Sequence, residues 1–525
     1  MRTRPNAFSA SAVVSSSSLQ ASIIGAKIME GGGNVVDAAI ATSAALAVTQ
    51  NNLCGLGGDM FSLVRMNSKG VTNFNGSGKS FSSADIEFFK NKNFDSIPKR
   101  GPLSALTVPG LVDGWREMHR RFGTLELRDL LEPAYRLALD GFPVTHNYSS
   151  SISNSAKYLS GFKGWNDIFY RDGKVPLPGS VFRQKDLAVS LKILMEEGLE
   201  SFYTGSLADK IIDGLKDTGV IITIDDLRAH RTTVEYPLKT EAGGHTIYET
   251  APNSQGATVL LWSNLIALHR RDWKAKELEP STVIRLGFNA YRKRDEEITD
   301  PDFHMLPGEF TSRDYASKII DESIDLPAAP GISKDQGDTT YFAIADSEGN
   351  SVSMIQSNYL GFGSGIIPAG TGFVLQNRGS YFSLDEKHHN ALKPRKRTFH
   401  TLCAGMMERD GRYEASFGSM GGDIQPQIHV QIILQLMNDL SDPQGVLDMP
   451  RWAFPYTIYE KPSKLICESD ELYRVLSREF GRNVVVKTDR SPEFGQAQIV
   501  TLLENGTVAG GSDARGDGVS IPVLK

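Results

Sequence analysis

The sequence predicts an α+β fold in which helices and strands pack as layers around one core. Helical periodicity dominates the chain up to residue 297, and alternating β-type runs dominate after residue 337. No linker long enough to separate two domains lies between these parts. With 525 residues, 40% of them hydrophobic, the chain can bury one large core.

The first part of the chain is predicted to be mainly helical. Residues 17–49 indicate two helices around the glycines at 31–33, and the second helix, 35–48, is apolar on all sides and therefore predicted to be buried. Residues 60–76 alternate about a Ser-Lys-Gly turn, which is typical of a hairpin. Other segments with helical periodicity are 128–140, 186–198, 207–217, 255–272 and 281–297.

The second part begins after residues 322–337, which are rich in Pro, Gly and Asp and are predicted to form an exposed loop. Two β-type runs, 339–346 and 351–358, are joined by Asp-Ser-Glu-Gly-Asn and predict a hairpin. A second hairpin is predicted over 498–513, with its turn at Asn505-Gly506. The remaining predicted elements are strands at 373–375, 400–407 and 412–418 and a helix at 427–439.

Composition argues against several classes of function. A net charge of −6 argues against nucleic acid as the main partner, and no apolar run of about 18 residues predicts a membrane span. Cys54, Cys403 and Cys467 lie far apart without a CxxC pair, so we expect no zinc or redox-pair site. The N-terminal residues lack the apolar run of a secretion signal, and we therefore expect a cytoplasmic protein.

The strongest candidate for catalysis is Thr339, which follows the predicted loop and opens a β run. Cleavage of the backbone before Thr339 would free its α-amine, whose reference pKa of about 7.7–8.0 suits a general base at neutral pH. The hydroxyl of the same residue would then be the nucleophile. A Thr-Thr pair also opens strands through β-propensity alone, so this pattern by itself leaves both interpretations open.

A glycine pair, Gly421-Gly422, lies between a predicted strand and a predicted helix. Glycines leave backbone N–H groups uncovered, and such groups can stabilise a developing oxyanion. An ordinary strand-to-helix turn is the alternative. The earlier glycine clusters at 31–33 and 55–58 lack the pattern of a phosphate loop and are predicted to be structural turns.

Taken together, these segments resemble the gamma-glutamyltransferase family of N-terminal nucleophile hydrolases over nearly the whole chain. The segments that resemble it are, in chain order, GGGNVVDAAIATSAALAVTQ with GLGGDMF, VPGLVDGW with RFGTLELRDLLEPAYRLALDGFPV, DPDF at 300–303, GDTTYFAIADSEGNSVSMIQSNYLGFGSGI, KRTFHTL, GSMGG and GGSDARGDG.

The resemblance implies a four-layer αββα sandwich of the N-terminal nucleophile hydrolase type. It also implies a precursor that cuts itself between Asp338 and Thr339. Residues 1–338 would form a large subunit and 339–525 a small one, and the two would stay folded together. No cofactor and no metal are implied.

The family pattern also implies roles for individual residues. Thr339 would attack an amide carbonyl and form an acyl-enzyme, which water or an amine would then resolve. Gly421 and Gly422 match the oxyanion-hole position. Ser357 falls where the family has a Thr that supports the nucleophile and self-cleavage, and it keeps the hydroxyl.

The positions that bind the glutamyl group in the family carry different residues here. The carboxylate-binding Arg falls on Ser77, the amine-binding Asn and Asp fall on Tyr359 and Tyr381, and the paired serines fall on His400 and Thr401. Both charged contacts are therefore lost. Because a buried charge without a partner is costly, we do not expect γ-glutamyl recognition in the usual geometry.

Two substitutes for the lost contacts are suggested by spacing. Arg378 lies three residues before Tyr381 and could replace the missing Arg, with a structural salt bridge as the alternative. Tyr359 and Tyr381 would make the pocket more aromatic, which suits a larger or less charged acyl group.

We therefore expect a self-processing, Thr-dependent amidohydrolase or acyltransferase that acts on a γ-glutamyl or related acyl amide. Hydrolysis is favoured because no acceptor site is evident. The alternatives are a glutathione hydrolase with a relocated carboxylate clamp, and an uncleaved, inactive scaffold or binding protein. The expected partners are a small-molecule amide and the two subunits of one precursor, with further homo-oligomerisation left open.

Overall fold

A computed structural model describes residues 2–269, 278–321, 338–454, 464–487 and 490–524. Its strands are β1 (Ala7–Ser9), β2 (Ala12–Ser16), β3 (Asp59–Met66), β4 (Gly70–Gly76), β5 (Phe142–Pro143), β6 (Val181–Phe182), β7 (Thr233–Glu235), β8 (Leu238–Ala242), β9 (His245–Glu249), β10 (Asp338–Asp346), β11 (Ser351–Tyr359), β12 (Gly405–Arg409), β13 (Arg412–Ser419), β14 (Trp452–Ala453), β15 (Leu465–Cys467), β16 (Val484–Val486), β17 (Ala497–Leu502), β18 (Val508–Ser512) and β19 (Val519–Val523).

The helices alternate with these strands along the chain. They are α1 (Leu19–Glu30), α2 (Val35–Thr49), α3 (Ile86–Lys90), α4 (Leu111–Phe122), α5 (Leu127–Asp140), α6 (His146–Leu159), α7 (Lys163–Phe169), α8 (Lys185–Glu197), α9 (Ser201–Thr204), α10 (Ser206–Leu215), α11 (Ile224–Ala229), α12 (Gly256–His269), α13 (Pro280–Glu297), α14 (Arg313–Ile319), α15 (Gln425–Leu436), α16 (Pro443–Asp448) and α17 (Asp470–Phe480).

Two seven-stranded antiparallel sheets form the centre of the molecule. The first has the order β1-β18-β17-β13-β12-β9-β8, and the second has the order β19-β2-β10-β11-β3-β4-β7. Each sheet contains strands from both halves of the chain, so the segments before and after residue 338 share one core. The hairpin of β10 and β11 lies in the middle of the second sheet.

The two sheets stack face to face through apolar side chains. Tyr341 and Ile355 of the second sheet share a buried cluster with Met406 and Val500 of the first. Gly418 permits this close approach, because a Cβ there would lie 2.3 Å from the Tyr341 ring. Alternating strand residues therefore face the neighbouring sheet, while the others face helices.

Helices cover the outer face of each sheet. The helices α1, α2 and α4 pack on the second sheet with α5 outside α2, and α12 and α15 pack on the first sheet with α13 outside α12. The layers thus run helix, sheet, sheet, helix, which confirms the predicted four-layer αββα sandwich. Among the described helices, none combines the length and apolarity needed to cross a lipid bilayer.

Helix α2 is buried along its whole length, as its apolar composition predicts. Asn34 caps its first turn by accepting from the N–H groups of Val36 and Asp37, and the Asp37 carboxylate accepts from the Asn34 N–H in return. The Asn34 amide also donates to the Phe122 carbonyl at 2.7 Å. This one side chain therefore joins α2 to the end of α4.

Most predicted elements are confirmed within a few residues of their ends, but the strand predicted at 373–375 is wrong. Leu375 is buried, yet its N–H donates to the Ile366 carbonyl and its carbonyl accepts from Ser364, which lie in neighbouring loops. Gly370 and Gly372 have positive φ just before it. The β-type composition therefore reflects burial of an irregular segment.

The strand predicted at 400–407 begins only at Gly405. Before it, the N–H groups of Leu402 and Cys403 donate to the side chains of His400 and Gln425 rather than to a neighbouring strand. The helix predicted at 427–439 is α15, which starts and ends slightly earlier. The predicted loop 322–337 and the end of the predicted helix 255–272 lie outside the described residues.

We predict that Asn34→Ala lowers the free energy of unfolding by about 1 kcal/mol or more, because it removes an N-cap and the bond to Phe122. Asn34→Asp should recover part of this loss, since the carboxylate can still cap the helix. Urea unfolding followed by circular dichroism measures both changes. Equal midpoints for wild type and Asn34→Ala would contradict the assigned cap.

Candidate active site

The candidate nucleophile lies at the open end of the central hairpin. β10 begins at Asp338, which pairs with Tyr359 at the end of β11. The register shifts after Asp338, so that Ser357 and Asn358 both lie opposite Thr339. Next to this bulge, Tyr359 has a φ of 78°. A bulky residue rarely adopts this left-handed conformation, and bulges and such strain are common at functional sites.

The Ser357 hydroxyl connects the Thr339 side chain with the peptide bond before it. Thr339 Oγ1 donates to Ser357 Oγ at 3.2 Å, and Ser357 Oγ donates to the Asp338 carbonyl oxygen at 2.7 Å. The Tyr359 N–H donates to Ser357 Oγ at 2.8 Å, which fixes its orientation. Thr339 and Ser357 are both buried. A donor on the Asp338 carbonyl polarises this carbonyl toward attack.

The Asp338 side chain is held beside the same junction. Burial raises the pKa of the Asp338 carboxyl to about 6, while the nearby Arg100 charge and a hydrogen bond from the Gly361 backbone oppose the rise. Arg100 is anchored on the loop after β11, where it donates to the Gly361 carbonyl at 2.5 Å. The residue before Thr339 is therefore positioned through both its carbonyl and its carboxyl.

The glycine pair directly follows β13. Gly421 and Gly422 have φ values of 138° and 57°, conformations that side-chain-bearing residues rarely adopt. Gln255 Nε2 donates to the Gly422 carbonyl at 3.0 Å and to the Thr401 carbonyl at 2.6 Å. One buried amide thus holds the glycine turn against the segment that contains Thr401.

Asp423 attaches the glycine turn to the predicted substrate residues. Tyr381 Oη lies 2.7 Å from both carboxylate oxygens of Asp423, and Arg294 Nη1 donates to Oδ1 at 3.0 Å. Arg294 also donates to Gln255 Oε1 at 2.9 Å. Burial raises the pKa of the Asp423 carboxyl, and the Arg294 charge opposes the rise. The Asp423 carboxylate is therefore fully engaged by the protein.

Arg378 is buried, with 1% of its surface exposed, and it stacks on aromatic rings. Its guanidinium carbon lies 4.0 Å from the centre of the Tyr359 ring and 5.7 Å from that of Tyr381. Nη2 donates to Thr401 Oγ1 at 3.0 Å, while Nε and Nη1 have no hydrogen-bond partner among the described residues. The salt bridge that was the alternative explanation for Arg378 is not formed within this part of the chain.

His400 is held as a neutral ring next to Asp59. Its Nδ1 accepts from the Leu402 N–H at 3.3 Å, so that Nε2 carries the proton and donates to Asp59 Oδ2 at 3.2 Å. Burial and the Arg378 charge lower the pKa of His400 well below its usual value. Burial also raises the pKa of Asp59 to about 7, against hydrogen bonds from Gln376 and backbone groups.

Ser77 is buried in a hydrogen-bonded cluster of its own. Its hydroxyl lies 2.6 Å from Asn75 Oδ1 and 3.1 Å from Asn253 Oδ1. The His400 N–H donates to the Asn253 carbonyl at 2.9 Å, so Asn253 connects Ser77 with His400. Ser77 therefore supports the site and has its hydroxyl committed to protein partners.

The structure thus brings the predicted residues together in three contacting groups. Asp338, Thr339 and Ser357 form the first group, Tyr359, Arg378, Tyr381 and Thr401 form the second, and Gly421 and Gly422 join the second through Gln255. Sequence reasoning missed Asp59, Asp423, Gln255 and Arg294. Asp59 and Asp423 each follow a glycine pair, and this pattern could have indicated them. No comparable sequence pattern indicates Gln255 or Arg294.

A separate cluster of potential metal ligands lies beneath the first sheet. Glu249, Cys403 and His429 are buried, and one ligand atom from each lies within 4.8 Å of the others. His429 Nδ1 and Glu249 Oε1 are 2.7 Å apart. Burial raises the pKa of the Cys403 thiol well above its usual value, which opposes the deprotonation that metal binding needs. The expectation of no metal stays a prediction.

Comparison with known proteins agrees with this arrangement. The fold resembles a crystal structure of a cephalosporin acylase from Bacillus halodurans, with a TM-score of 0.90 and 32% identity over 100% of this chain and 98% of that one. The two layers of sheet between helices, shared with this acylase, are the architecture of the N-terminal nucleophile-type hydrolases.

Sequence relatives then identify the family. The family model for gamma-glutamyltranspeptidase matches residues 21–523. The glutathione hydrolase-like YwrD proenzyme of Bacillus subtilis is 40% identical, covering 96% of this chain and 97% of its own length. The oxamate amidohydrolase proenzyme of Klebsiella pneumoniae is 34% identical, covering 94% and 95%. The chain belongs to the gamma-glutamyltranspeptidase family and is an enzyme of its hydrolase type.

We predict that Asp59 makes the folded protein less stable as the pH rises from about 4 to 7. Between its ordinary pKa of 3.8 and its raised pKa of about 7, the folded state holds a proton that the unfolded state has lost. The free energy of unfolding therefore falls as pH increases, by up to about 1.4 kcal/mol per pH unit. Asp59→Asn should flatten this fall, as measured by urea unfolding between pH 5 and 8. Parallel curves for the two proteins would contradict it.

Proposed function

We propose that the chain cuts itself between Asp338 and Thr339, and that Thr339 is then the nucleophile of an amidohydrolase that works through an acyl-enzyme. The observation that best supports this proposal is the Ser357 hydroxyl, which bonds to both the Thr339 hydroxyl and the Asp338 carbonyl. Such an arrangement has no need for a cofactor, because nucleophile, donor and carbonyl all belong to the chain.

Self-cleavage would proceed in two steps. Thr339 Oγ1 attacks the Asp338 carbonyl carbon, the peptide C–N bond breaks, and the hydroxyl proton ends on the released amine, which leaves an ester. Water then hydrolyses this ester, which gives a new main-chain α-carboxylate on Asp338 and a free Thr339 hydroxyl. The Ser357 hydroxyl donates to the carbonyl oxygen on which negative charge develops in the first step.

Catalysis after self-cleavage would reuse the same side chain. The freed Thr339 amine, with a reference pKa of about 7.7–8.0, accepts the hydroxyl proton as Oγ1 attacks the substrate amide. The backbone N–H groups of Gly421 and Gly422 would stabilise the oxyanion. Water resolves the acyl-enzyme, and we favour hydrolysis over transfer to an acceptor amine.

The two products, 1–338 and 339–525, would remain one folded unit. β10 starts at the proposed cut and pairs with β2 on one side and β11 on the other, and β11 pairs with β3. A cut before Thr339 leaves the pairings of β10 from Thr340 onward intact. The proenzyme names of the relatives from Bacillus subtilis and Klebsiella pneumoniae agree with such processing.

The proposed substrate is a γ-glutamyl or related acyl amide. The named relatives span a glutathione hydrolase-like protein, an oxamate amidohydrolase and a cephalosporin acylase, which share cleavage of an amide but differ in the acyl group. The uncleaved scaffold is the less favoured alternative, because the Thr339 hydroxyl, the Ser357 hydroxyl and the Asp338 carbonyl are present and in contact.

We predict that Thr339→Ala abolishes both self-cleavage and amide hydrolysis, because it removes the proposed nucleophile. The neighbouring Thr340→Ala is the matched control, since Thr340 is equally buried but bonds to Ser17 instead of Ser357. Denaturing gels follow cleavage, and release of amine follows hydrolysis. Cleavage of the Thr339→Ala chain at the wild-type rate would refute the mechanism.

A second prediction concerns the donor to the Asp338 carbonyl. Ser357→Ala should slow self-cleavage by about 10²-fold, the usual effect of removing one donor from a developing oxyanion. Ser357→Thr keeps the hydroxyl and should cleave at close to the wild-type rate. A time course of freshly purified precursor measures both rates. If Ser357→Ala and Ser357→Thr are equally fast, the bond from Ser357 has no role in the reaction.

A further inference from the structure

Arg378 has the contacts of a ligand-binding group rather than of a structural one. It is buried, its Nε and Nη1 have no partner among the described residues, and it forms no ion pair within this part of the chain. A guanidinium has five N–H donors, and Thr401 Oγ1 accepts from only one of its nitrogens. Burying a charge with unsatisfied donors is costly, so such groups usually serve a bound anion.

We propose that Arg378 binds a carboxylate on the acyl group of the substrate, and that the site selects acyl amides that carry this carboxylate and lack an ammonium group. The inference rests on the proposed function and specifies its substrate class. Monoamides of short dicarboxylic acids, such as a glutaryl amide, belong to this class. A γ-glutamyl amide has the same carboxylate but adds a positive charge.

The position of Arg378 indicates that the carboxylate belongs to the acyl side. In the uncut chain, the acyl group attached to Thr339 is that of Asp338, and Asp338 pairs with Tyr359. The Tyr359 ring lies 4.0 Å from the Arg378 guanidinium carbon. A substrate acyl group bonded to Thr339 Oγ1 would replace Asp338 and extend toward the same ring.

The aromatic rings position the guanidinium without neutralising it. Tyr359 and Tyr381 provide cation–π contacts, which strengthen when water is excluded. Neither ring cancels the positive charge of Arg378, so this charge is available to an incoming carboxylate. The sequence suggested that these rings would suit a larger or less charged acyl group, whereas both rings lie against the Arg378 cation.

The surrounding carboxylates explain the exclusion of an ammonium group. Asp423 is engaged by Tyr381 and Arg294, and Asp59 is engaged by His400 and other donors. An ammonium group near Arg378 would meet a like charge and no uncommitted carboxylate of this cluster. Like charges in a buried site disfavour binding, so the extra amine of a γ-glutamyl group should reduce turnover.

Three p-nitroanilides test the proposal on the self-cleaved enzyme: glutaryl, γ-glutamyl and butyryl. The glutaryl compound carries the carboxylate alone, the γ-glutamyl compound carries the carboxylate and an amine, and the butyryl compound carries neither group. We expect kcat/KM for the glutaryl compound to exceed that for each of the others by about 10- to 100-fold, the effect of one charged hydrogen bond. Equal kcat/KM for the glutaryl and butyryl compounds, or a preference for γ-glutamyl, would overturn the proposal.

Substitution of Arg378 assigns the effect to this side chain. Arg378→Gln should lower kcat/KM for the glutaryl compound by about 10- to 100-fold and so remove its advantage over the butyryl compound. Self-cleavage of Arg378→Gln reports that the fold and Thr339 are intact. Arg136→Gln, an exposed position on α5, is the control for loss of one positive charge. If Arg378→Gln does not fold, Arg378→Lys takes its place. This variant should still prefer the glutaryl over the butyryl compound, but by a smaller ratio of kcat/KM values.

Failure of the proposed function would be distinguishable from failure of this inference. If the self-cleaved protein hydrolyses none of the three anilides, calorimetric titration of it with glutarate, glutamate and butyrate still probes Arg378. Binding of glutarate alone, lost in Arg378→Gln, would support the carboxylate site. Absence of glutarate binding, or equal binding in Arg378→Gln, would refute it.

Discussion

The hydroxyl of Ser357 holds together the two groups on which the proposed chemistry of this protein depends. It bonds to the Thr339 hydroxyl and to the carbonyl of the peptide bond before Thr339, and the Tyr359 N–H fixes its orientation. These contacts exist because a bulge at Thr339 shifts the register of β10 against β11. The four-layer sandwich holds this hairpin rigid from both faces, and so a local irregularity is maintained where the central strands end.

Buried charge organises the rest of the site. Asp423, Arg294 and Gln255 form a network in which each polar group has partners, and this network fixes the glycine turn and the Tyr381 ring. Arg378 stands beside it with donors unused by the described residues. A satisfied network around an unsatisfied cation is the arrangement expected of a preorganised anion site. The proposed carboxylate site thus differs from the glutamyl clamp implied by the family resemblance in the position of one arginine.

Sequence alone predicted the layered fold, the central hairpin and the position of Thr339, because these depend on local periodicity, turn residues and family motifs. It predicted the 373–375 strand wrongly, since buried loops and buried strands share composition. The spacing of Arg378 and Tyr381 suggested their proximity, but only side-chain positions could show that Arg378 forms no ion pair with the described residues. Gln255 and Arg294 lie far from Asp423 in sequence, and no local pattern connects residues that meet only through the packing of α12, α13 and the glycine turn.

Self-cleavage at the proposed bond is tested most directly by the intact mass and N-terminal sequence of freshly purified protein. We expect two chains that remain associated under native conditions, one of them beginning Thr339-Thr340-Tyr341. Because the cut must occur at the carbonyl that Ser357 contacts, a cut at any other peptide bond would contradict the mechanism. A single chain of 57.5 kDa after prolonged incubation would contradict self-processing altogether.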